Sequence, residues 1–385
     1  MHRTIIDFHV IQTVPPSNIN RDDTGSPKSA IYGGVRRARV SSQAWKKAIR
    51  SMFREHFAEE ELAMRTKKIV DLVAKEIRKA DADISEGDAM NLAEKAINAT
   101  GVKTKDKEAQ ALFFLSATQA ASLGRLAAEA ARNGVEIDKT AAKEALNRKE
   151  HSVEIALFGR MVADDPSLNA DAAAQVAHGI SVHKVENEYD FYTAVDDVKE
   201  RDEAAADAGA GMLGTIEFNS STLYRYATVF ADLLYEELAN DADVTAKAVS
   251  EFARGFIASM PTGKQNSFAN HTPPYAALVT IREDRPLNFV GAFEKPVEPS
   301  GEGFARGATQ KLADHAGDIY RSFAKAPLRS YIVALDDAAR ILAEQKNQDG
   351  GACERVDLDG LTKALASEVQ ARVGGASGAR PESAE

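Results

Sequence analysis

The chain reads as an α+β protein, a ferredoxin-like sandwich that carries a large helical insertion and a protruding hairpin. Three observations predict this. A β-branched, aromatic run opens the chain. Residues 60–150 then switch to Ala, Leu, Glu and Lys at helical spacing. Finally, two β-capable runs near 189–195 and 213–218 flank a polar tip with nothing to bury.

The elements follow in order. Arg3 to Val14 is the opening strand, with Thr4, Ile6, Phe8 and Val10 on one face. A polar loop with Pro15, Pro16 and Asn20 to Asp23 comes next. Gly33 and Gly34 then permit a tight turn before Arg36 to Val40, which alternates like an exposed strand. Residues 43–56 form a helix with Ser41 and Ser42 where an N-cap belongs. Within the helical stretch, Glu108 to Asn133 reads as one long helix stopped at Gly134. Strand character resumes at Val153 to Met161 and at Ala177 to Lys184. The hairpin pairs Tyr189 to Val195 with Leu213 to Phe218 around the Asp202 to Gly211 tip. Thr222 to Phe230 is a further strand, with Tyr224 and Tyr226 on one face and Arg225 opposite. Helices at Ala231 to Ala239 and Val244 to Ser259 follow. A Pro261 to Gln265 turn then leads into the strand Tyr275 to Ile281. A last strand, Ser330 to Leu335, precedes terminal helices and a tail expected to be disordered from Gly374 to Glu385.

Composition bounds the function. With 385 residues, 44% of them hydrophobic, the chain can bury one large core or two moderate ones. Its single cysteine, Cys353, rules out an intrachain disulfide and fits a reducing cytosol, and no Cys/His spacing of zinc type occurs. Arg3 and Asp7 interrupt the first residues and no 18 apolar residues run together, so neither a signal peptide nor a membrane span is expected. The sequence therefore predicts a cytoplasmic protein without cofactor or metal.

One block departs from the acidic whole. The formal net charge is -10, yet Thr24 to Arg54 holds Lys28, Arg36, Arg37, Arg39, Lys46, Lys47, Arg50 and Arg54 and not one acid. A positive block in an acidic protein points to a polyanion held against it. The predicted helix divides cleanly: Trp45, Ala48, Ile49, Met52, Phe53 and His56 on one side, and Gln43, Lys46, Lys47, Arg50 and Arg54 on the other. Its N-terminus offers free N–H groups and a positive dipole end to a phosphate. An ordinary solvated basic face is the plainer explanation, but such faces usually mix signs. At the hairpin base, Phe191 and Tyr192 point to opposite faces of a strand, leaving one free to stack on a base.

Rival chemistries are visible too. Asp22, Asp23, Asp196 and Asp197 suggest a two-metal ribonuclease, although Asp22 and Asp23 sit where Asp braces turns. His178 and His183 lie near Glu186, but no regular spacing places both on one face, so structural histidines are expected. A protein-only scaffold would dock the basic helix on an acidic tip such as Asp202 to Asp207 of another copy.

A set of strings carries a resemblance: Asn-Arg-Asp-Asp (20–23), Gly-Gly-Val-Arg-Arg-Ala-Arg-Val-Ser-Ser-Gln (33–43), Leu-Phe-Gly-Arg-Met (157–161), Phe-Tyr-Thr-Ala-Val-Asp-Asp (191–197), Leu-Gly-Thr-Ile-Glu-Phe (213–218), Tyr-Arg-Tyr-Ala (224–227) and Gly-Lys-Gln (263–265). In this order they resemble the CasC family, the repeated backbone subunit of type I-E CRISPR Cascade, over about residues 3–280. The resemblance implies a hand: a modified RRM-like palm (1–58 and 219–373, the latter with the C-terminal helices), helical fingers with return strands (59–180), a thumb hairpin (181–218) and a disordered tail (374–385). It implies copies aligned head to tail on CRISPR RNA with other Cascade subunits. Each copy would flip one guide base and leave the rest to pair with target DNA, and none would cut. By the same resemblance Arg21, Lys28, Ser41, Gln43, Lys46 and Arg50 hold phosphate and sugar, and Lys47, on the same basic helix face, is a further RNA-binding candidate. Arg160 and Met161 brace the kinked nucleotide, Phe191, Tyr192 and Thr193 form the wedge, and Lys264 adds a backbone contact. Val35 stands where the family leads one to expect a cation.

Overall fold

The structure is a computed structural model and describes residues 3–147, 152–162, 165–194, 212–349 and 353–375. Its centre is the strand Ile5–Ser17, buried along most of its length. This strand pairs antiparallel with Met212–Phe230 on one side and Ala276–Arg282 on the other. Arg329–Ala334 and then Cys353–Arg355 extend the sheet beyond Ala276–Arg282. On the far side, Met212–Phe230 pairs with Ala174–Val176 and Gly179–Ser181. Val35–Val40 joins the latter, and Ser29–Tyr32 forms the edge.

Four of these strands and two helices make a β-α-β-β-α-β unit. In chain order the strands are Ile5–Ser17, the Ala174–Ser181 segment, Met212–Phe230 and Ala276–Arg282, and across the sheet they lie 4-1-3-2. The helices Ser42–His56 and Ala242–Ala258 pack on one face, because both carry an apolar stripe at helical spacing. Ile6, Phe8 and Val10 meet Trp45, Ile49, Phe53, Phe252 and Phe256 there. The rings of Phe8 and Phe252 stand 5.5 Å apart in an edge arrangement. Each such ring contributes roughly 1.5–3 kcal/mol on burial. The opposite face is closed as well: Ile11, Tyr224 and Tyr226 lie under Phe289, Phe293 and the helix Ala305–Ser322.

The helical insertion has a core of its own, with Ile69, Val73, Ile77, Ala93, Leu123 and Ala127 packed among Ile69–Ala80, Glu86–Ala99 and Ala117–Arg132. It is fastened to the helix Ser42–His56 by Glu154, whose buried carboxylate accepts Ala63 N–H at 2.6 Å and Arg50 Nε–H at 2.6 Å.

Several expectations are corrected. Val153 to Met161 is not a strand; Val153–Phe158 is a helix capped by Ser152, and a short apolar run has no periodicity to decide between the two. The long helix from Glu108 is two short strands, Glu108–Ala109 and Phe113–Ser116, followed by Ala117–Arg132. A reciprocal cap between Ser116 and Gln119 starts that helix. The opening strand continues through Pro15 and Pro16 to Ser17, with a register shift where proline cannot donate. Leu213 to Phe218 and Thr222 to Phe230 are one strand, so the hairpin extends a central element of the sheet. Arg36 to Val40 is internal, with Arg37 buried and donating to Ser181 and Phe293 carbonyls at 3.0 and 2.8 Å. Ser330 to Leu335 is not the last strand, since Cys353–Arg355 follows it. The hairpin tip, Asp196, Asp197 and residues 376–385 lie outside the described residues.

Candidate nucleic-acid interface

The basic block gathers at one end of the sheet. Past Ser17 the chain loops through Arg21 to Lys28, and local hydrogen bonds fix that loop. Asp22 Oδ1 accepts Thr24 N–H and Ser26 N–H, both at 3.0 Å, and the Thr24 hydroxyl. These bonds hold its carboxyl below the usual carboxylate range, the Thr24 hydroxyl first among them. Asn20 Oδ1 accepts Ser41 N–H at 2.8 Å, Lys28 N–H donates to Asn20 O, and Arg39 N–H donates to Lys28 O. Arg21, Lys28, Arg39 and the helix N-terminus therefore share one bonded framework.

That N-terminus begins at Ser41, whose Oγ accepts Ala44 N–H. The helix has no acid in its first turn, so its dipole is left open to an anion. Gln43 and Lys47 are exposed. Lys46 is half-buried, its ammonium 5.6 Å from the Phe158 ring, and burial pulls its pKa down. Arg39 is oriented from two sides: Nε donates to Ser29 O at 3.2 Å and Nη1 to His178 Nδ1 at 3.1 Å. Burial, then Arg39 and Lys28, lower the His178 pKa, which keeps the ring neutral and able to accept.

Lys264 joins the same end. It sits at φ 50 after Gly263, and a Cβ on Gly263 would fall 2.3 Å from Ile19 O. Only glycine lets this turn lie against the loop. The hairpin base is tied in by Glu217, which accepts Ser26 Oγ–H and Asn187 Nδ2–H, each at 2.9 Å, while Asn18 Nδ2–H donates to its carbonyl.

Two expected contacts are turned inward. Arg160 is 5% exposed and donates to the carbonyls of Leu168, Phe114 and Leu146 and to Gln119 Oε1; burial lowers its pKa to about 10. It braces the helical insertion from inside, while its neighbour Met161 is 86% exposed. Met161 follows Phe158, the ring beneath Lys46, by three residues, so their Cα atoms lie within about 11 Å of each other. Arg50 is committed to Glu154 and lies 4.6 Å from the Phe114 ring centroid. It is a strut between helix and insertion. Phe191 is exposed, Tyr192 less so, and the Thr193 side chain lies outside what the structure describes.

Asn20, His178 as a partner of Arg39, and Tyr189 carry no binding expectation from the sequence. Only Tyr189 had a usable signal: it lies two residues before Phe191, on the same strand face. His183 is a satisfied structural histidine, donating from Nδ1 to Lys184 O and accepting Thr222 N–H at Nε2. Among the described residues, no group of three or more His, Cys, Asp or Glu could hold a metal ion, and no helix is long and apolar enough to cross a membrane.

Comparison with known proteins settles the family. The profile of the CT1975-like protein family, Cas_CT1975, matches residues 6–361. The chain belongs to this CasC-like family. A chain of a solved "CRISPR RNA-guided surveillance complex, pre-nicking" is 33% identical, with a TM-score of 0.77 over 95% of this chain and 100% of that one. A chain of another "CRISPR RNA-guided surveillance complex" is 29% identical, with a TM-score of 0.65, covering 94% and 99%. A comparison with curated proteins returns no match.

Proposed function

We propose that this CasC-like chain is the repeated backbone subunit of a type I-E Cascade and binds CRISPR RNA without regard to sequence. The observation that carries the proposal is the bonded framework at the Ser17 end of the sheet. It collects Arg21, Lys28, Arg39, Lys264 and an acid-free helix N-terminus beside exposed Arg36 and Lys47. Cations, a hydroxyl and helix N–H groups engage phosphate and sugar, which carry no sequence information.

The β-α-β-β-α-β order supports reading residues 1–58 and 219–373 as a modified RRM-like palm. Because both sheet faces are covered, RNA binds at the strand ends and not across the sheet. The insertion serves as fingers and the hairpin of Glu188–Ala194 with Met212–Phe218 as a thumb, with Met161 and Phe191 as apolar groups for a kinked nucleotide. Copies line up head to tail on the guide with other Cascade subunits in the cytoplasm, and the exposed guide bases pair with target DNA.

The chain acts by binding and not as an enzyme. A metal-dependent ribonuclease is the lesser reading, since Asp22 already spends Oδ1 on its own loop. The test is to express the chain alone with RNA and titrate salt. Retained RNA whose affinity falls steeply with salt is expected, at a slope of about 0.7 per phosphate on a single strand. Assembly that ignores RNA would favour a protein-only scaffold.

A further inference from the structure

His178 stands inside the cationic framework, where the fold leaves it unopposed by any acid. The strand Gly179–Ser181 pairs with Val35–Val40 so that Gly179 lies opposite Val40. His178 and Ser41, the N-cap of the helix Ser42–His56, are the next residues on either strand, so they leave the sheet side by side. The approach is close because position 179 has no side chain: a Cβ there would fall 3.0 Å from Trp45 Nε1 and 3.5 Å from Arg225 Cγ.

The His178 ring is exposed, and its two nitrogens are used differently. Nδ1 lies 3.1 Å from Arg39 Nη1. A guanidinium has donors and no acceptor, so Nδ1 accepts and the proton of the neutral ring sits on Nε2. Nε2 has no hydrogen-bond partner among the described residues, which leaves its N–H for a ligand.

The charged groups facing the ring are all cations. Arg39 comes from the strand Val35–Val40 and Lys28 from the loop before Ser29–Tyr32, while buried Arg225 lies under Gly179. The first turn of the helix holds no acid. Among the described residues, none of Lys28, Arg39 and His178 is paired with a carboxylate. Burial, then Arg39 and Lys28, oppose a proton on the ring in the free chain. A phosphate laid against the same three side chains reverses that balance, because a nearby anion favours the charged imidazole.

We infer that His178 is a phosphate ligand of the bound RNA and takes up one proton from solvent as the RNA binds. The proton goes to Nδ1, the ring nitrogen without a hydrogen. Arg39 Nη1 then loses its acceptor, and both side chains turn their donors to phosphate oxygens. The inference rests on the RNA-backbone reading and adds to it a residue, His178, and a dependence on pH. The sign follows from linkage: a ring whose pKa is higher in the complex than in the free chain makes binding tighter as pH falls between the two values.

The test titrates the full chain with a uridine homopolymer, whose bases hold no group that ionises near neutrality. One further phosphate contact is worth about 0.7 of a decade at about 0.1 M salt, so affinity should rise about fivefold from about pH 8 to about pH 6. The salt slope should steepen by about 0.7 over the same change. Calorimetry in two buffers of different ionisation enthalpy should register a proton taken up by the parent and lost in His178→Gln. That variant should flatten the pH profile, and His178→Lys, which is charged throughout, should hold the parent's low-pH affinity across the range. A purely structural histidine would change affinity on substitution without changing its pH dependence. RNA binding by the parent that is flat with pH overturns the inference alone, as does a pH dependence that survives in His178→Gln. A parent that binds no RNA at any pH sinks the RNA reading and the inference together.

Discussion

Replacing Arg36, Arg39 and Lys47 together by serine tests the interface with little risk to the fold. Arg36 and Lys47 are exposed and Arg39 is half-exposed. What Arg39 gives up is one bond to a carbonyl and one to an exposed histidine. On a single strand each phosphate contact contributes about 0.7 to the slope of log affinity against log salt, so losing three lowers the slope by about 2. At about 0.1 M salt the same term is worth 0.7 of a decade per contact, so affinity falls by about a hundredfold. At about 0.3 M the deficit shrinks to roughly tenfold. Anisotropy of a labelled single-stranded RNA across a salt series measures both quantities, with thermal unfolding as the control. An unchanged slope would mean these side chains do not meet phosphate. A deficit that stays constant with salt would point to a lost shape contact.

Arg50→Glu should behave differently, because it removes the cation from buried Glu154 and sets a second carboxylate beside it. The expected cost is about 3–5 kcal/mol of stability, visible in the urea midpoint, so loss of RNA by that variant reports unfolding; an unchanged midpoint refutes this. Asp7 is fully buried, and burial raises its pKa from 3.8 to about 6 despite bonds from Tyr226 and Leu287. A raised pKa contributes stability below the unfolded value that is lost as pH rises through the folded one, here between about 4 and 6. The stability difference between the parent and Asp7→Asn should therefore change by about 3 kcal/mol across that window, and a flat difference would refute the assignment. Asp22→Ala should loosen the Arg21 to Lys28 loop and weaken RNA binding without altering any cleavage. Magnesium-dependent cutting that this substitution abolishes would put the ribonuclease reading first.

Much of the fold was legible because single elements announced themselves. The alternation along Ile5–Ser17 and the two-faced helix Ser42–His56 are local patterns, and tertiary packing uses them as written. What was hidden depended on partners distant in sequence. Arg37 and Arg160 carry the charge of binding residues, but their guanidiniums satisfy backbone carbonyls up to 257 residues away. Composition cannot separate a cation that grips a ligand from one that grips the protein's own chain. The same holds for Arg50, whose acid partner lies 104 residues on. Val153–Phe158 failed for another reason: a six-residue run with five apolar residues fits either period, and the Ser152 cap was the deciding signal.

The placement of the interface follows from what the sheet spends its faces on. Phe8, Trp45 and Phe256 close one face of the central strands, and Tyr224, Phe289 and Phe293 close the other. On the proposed function the RNA is therefore held at strand ends and loops. At the Ser17 end the long strand Met212–Phe230 continues past its partner to build the hairpin, so one rigid element reaches from the core to Tyr189 and Phe191. Glu217 and Asn18 lock that extension to the cationic loop, which fixes the distance between charge and ring. On the proposed function, a surface built this way would meet phosphates and the faces of bases, neither of which carries sequence information. That is the recognition a guide-holding subunit requires, since it must accept any spacer while keeping a constant geometry.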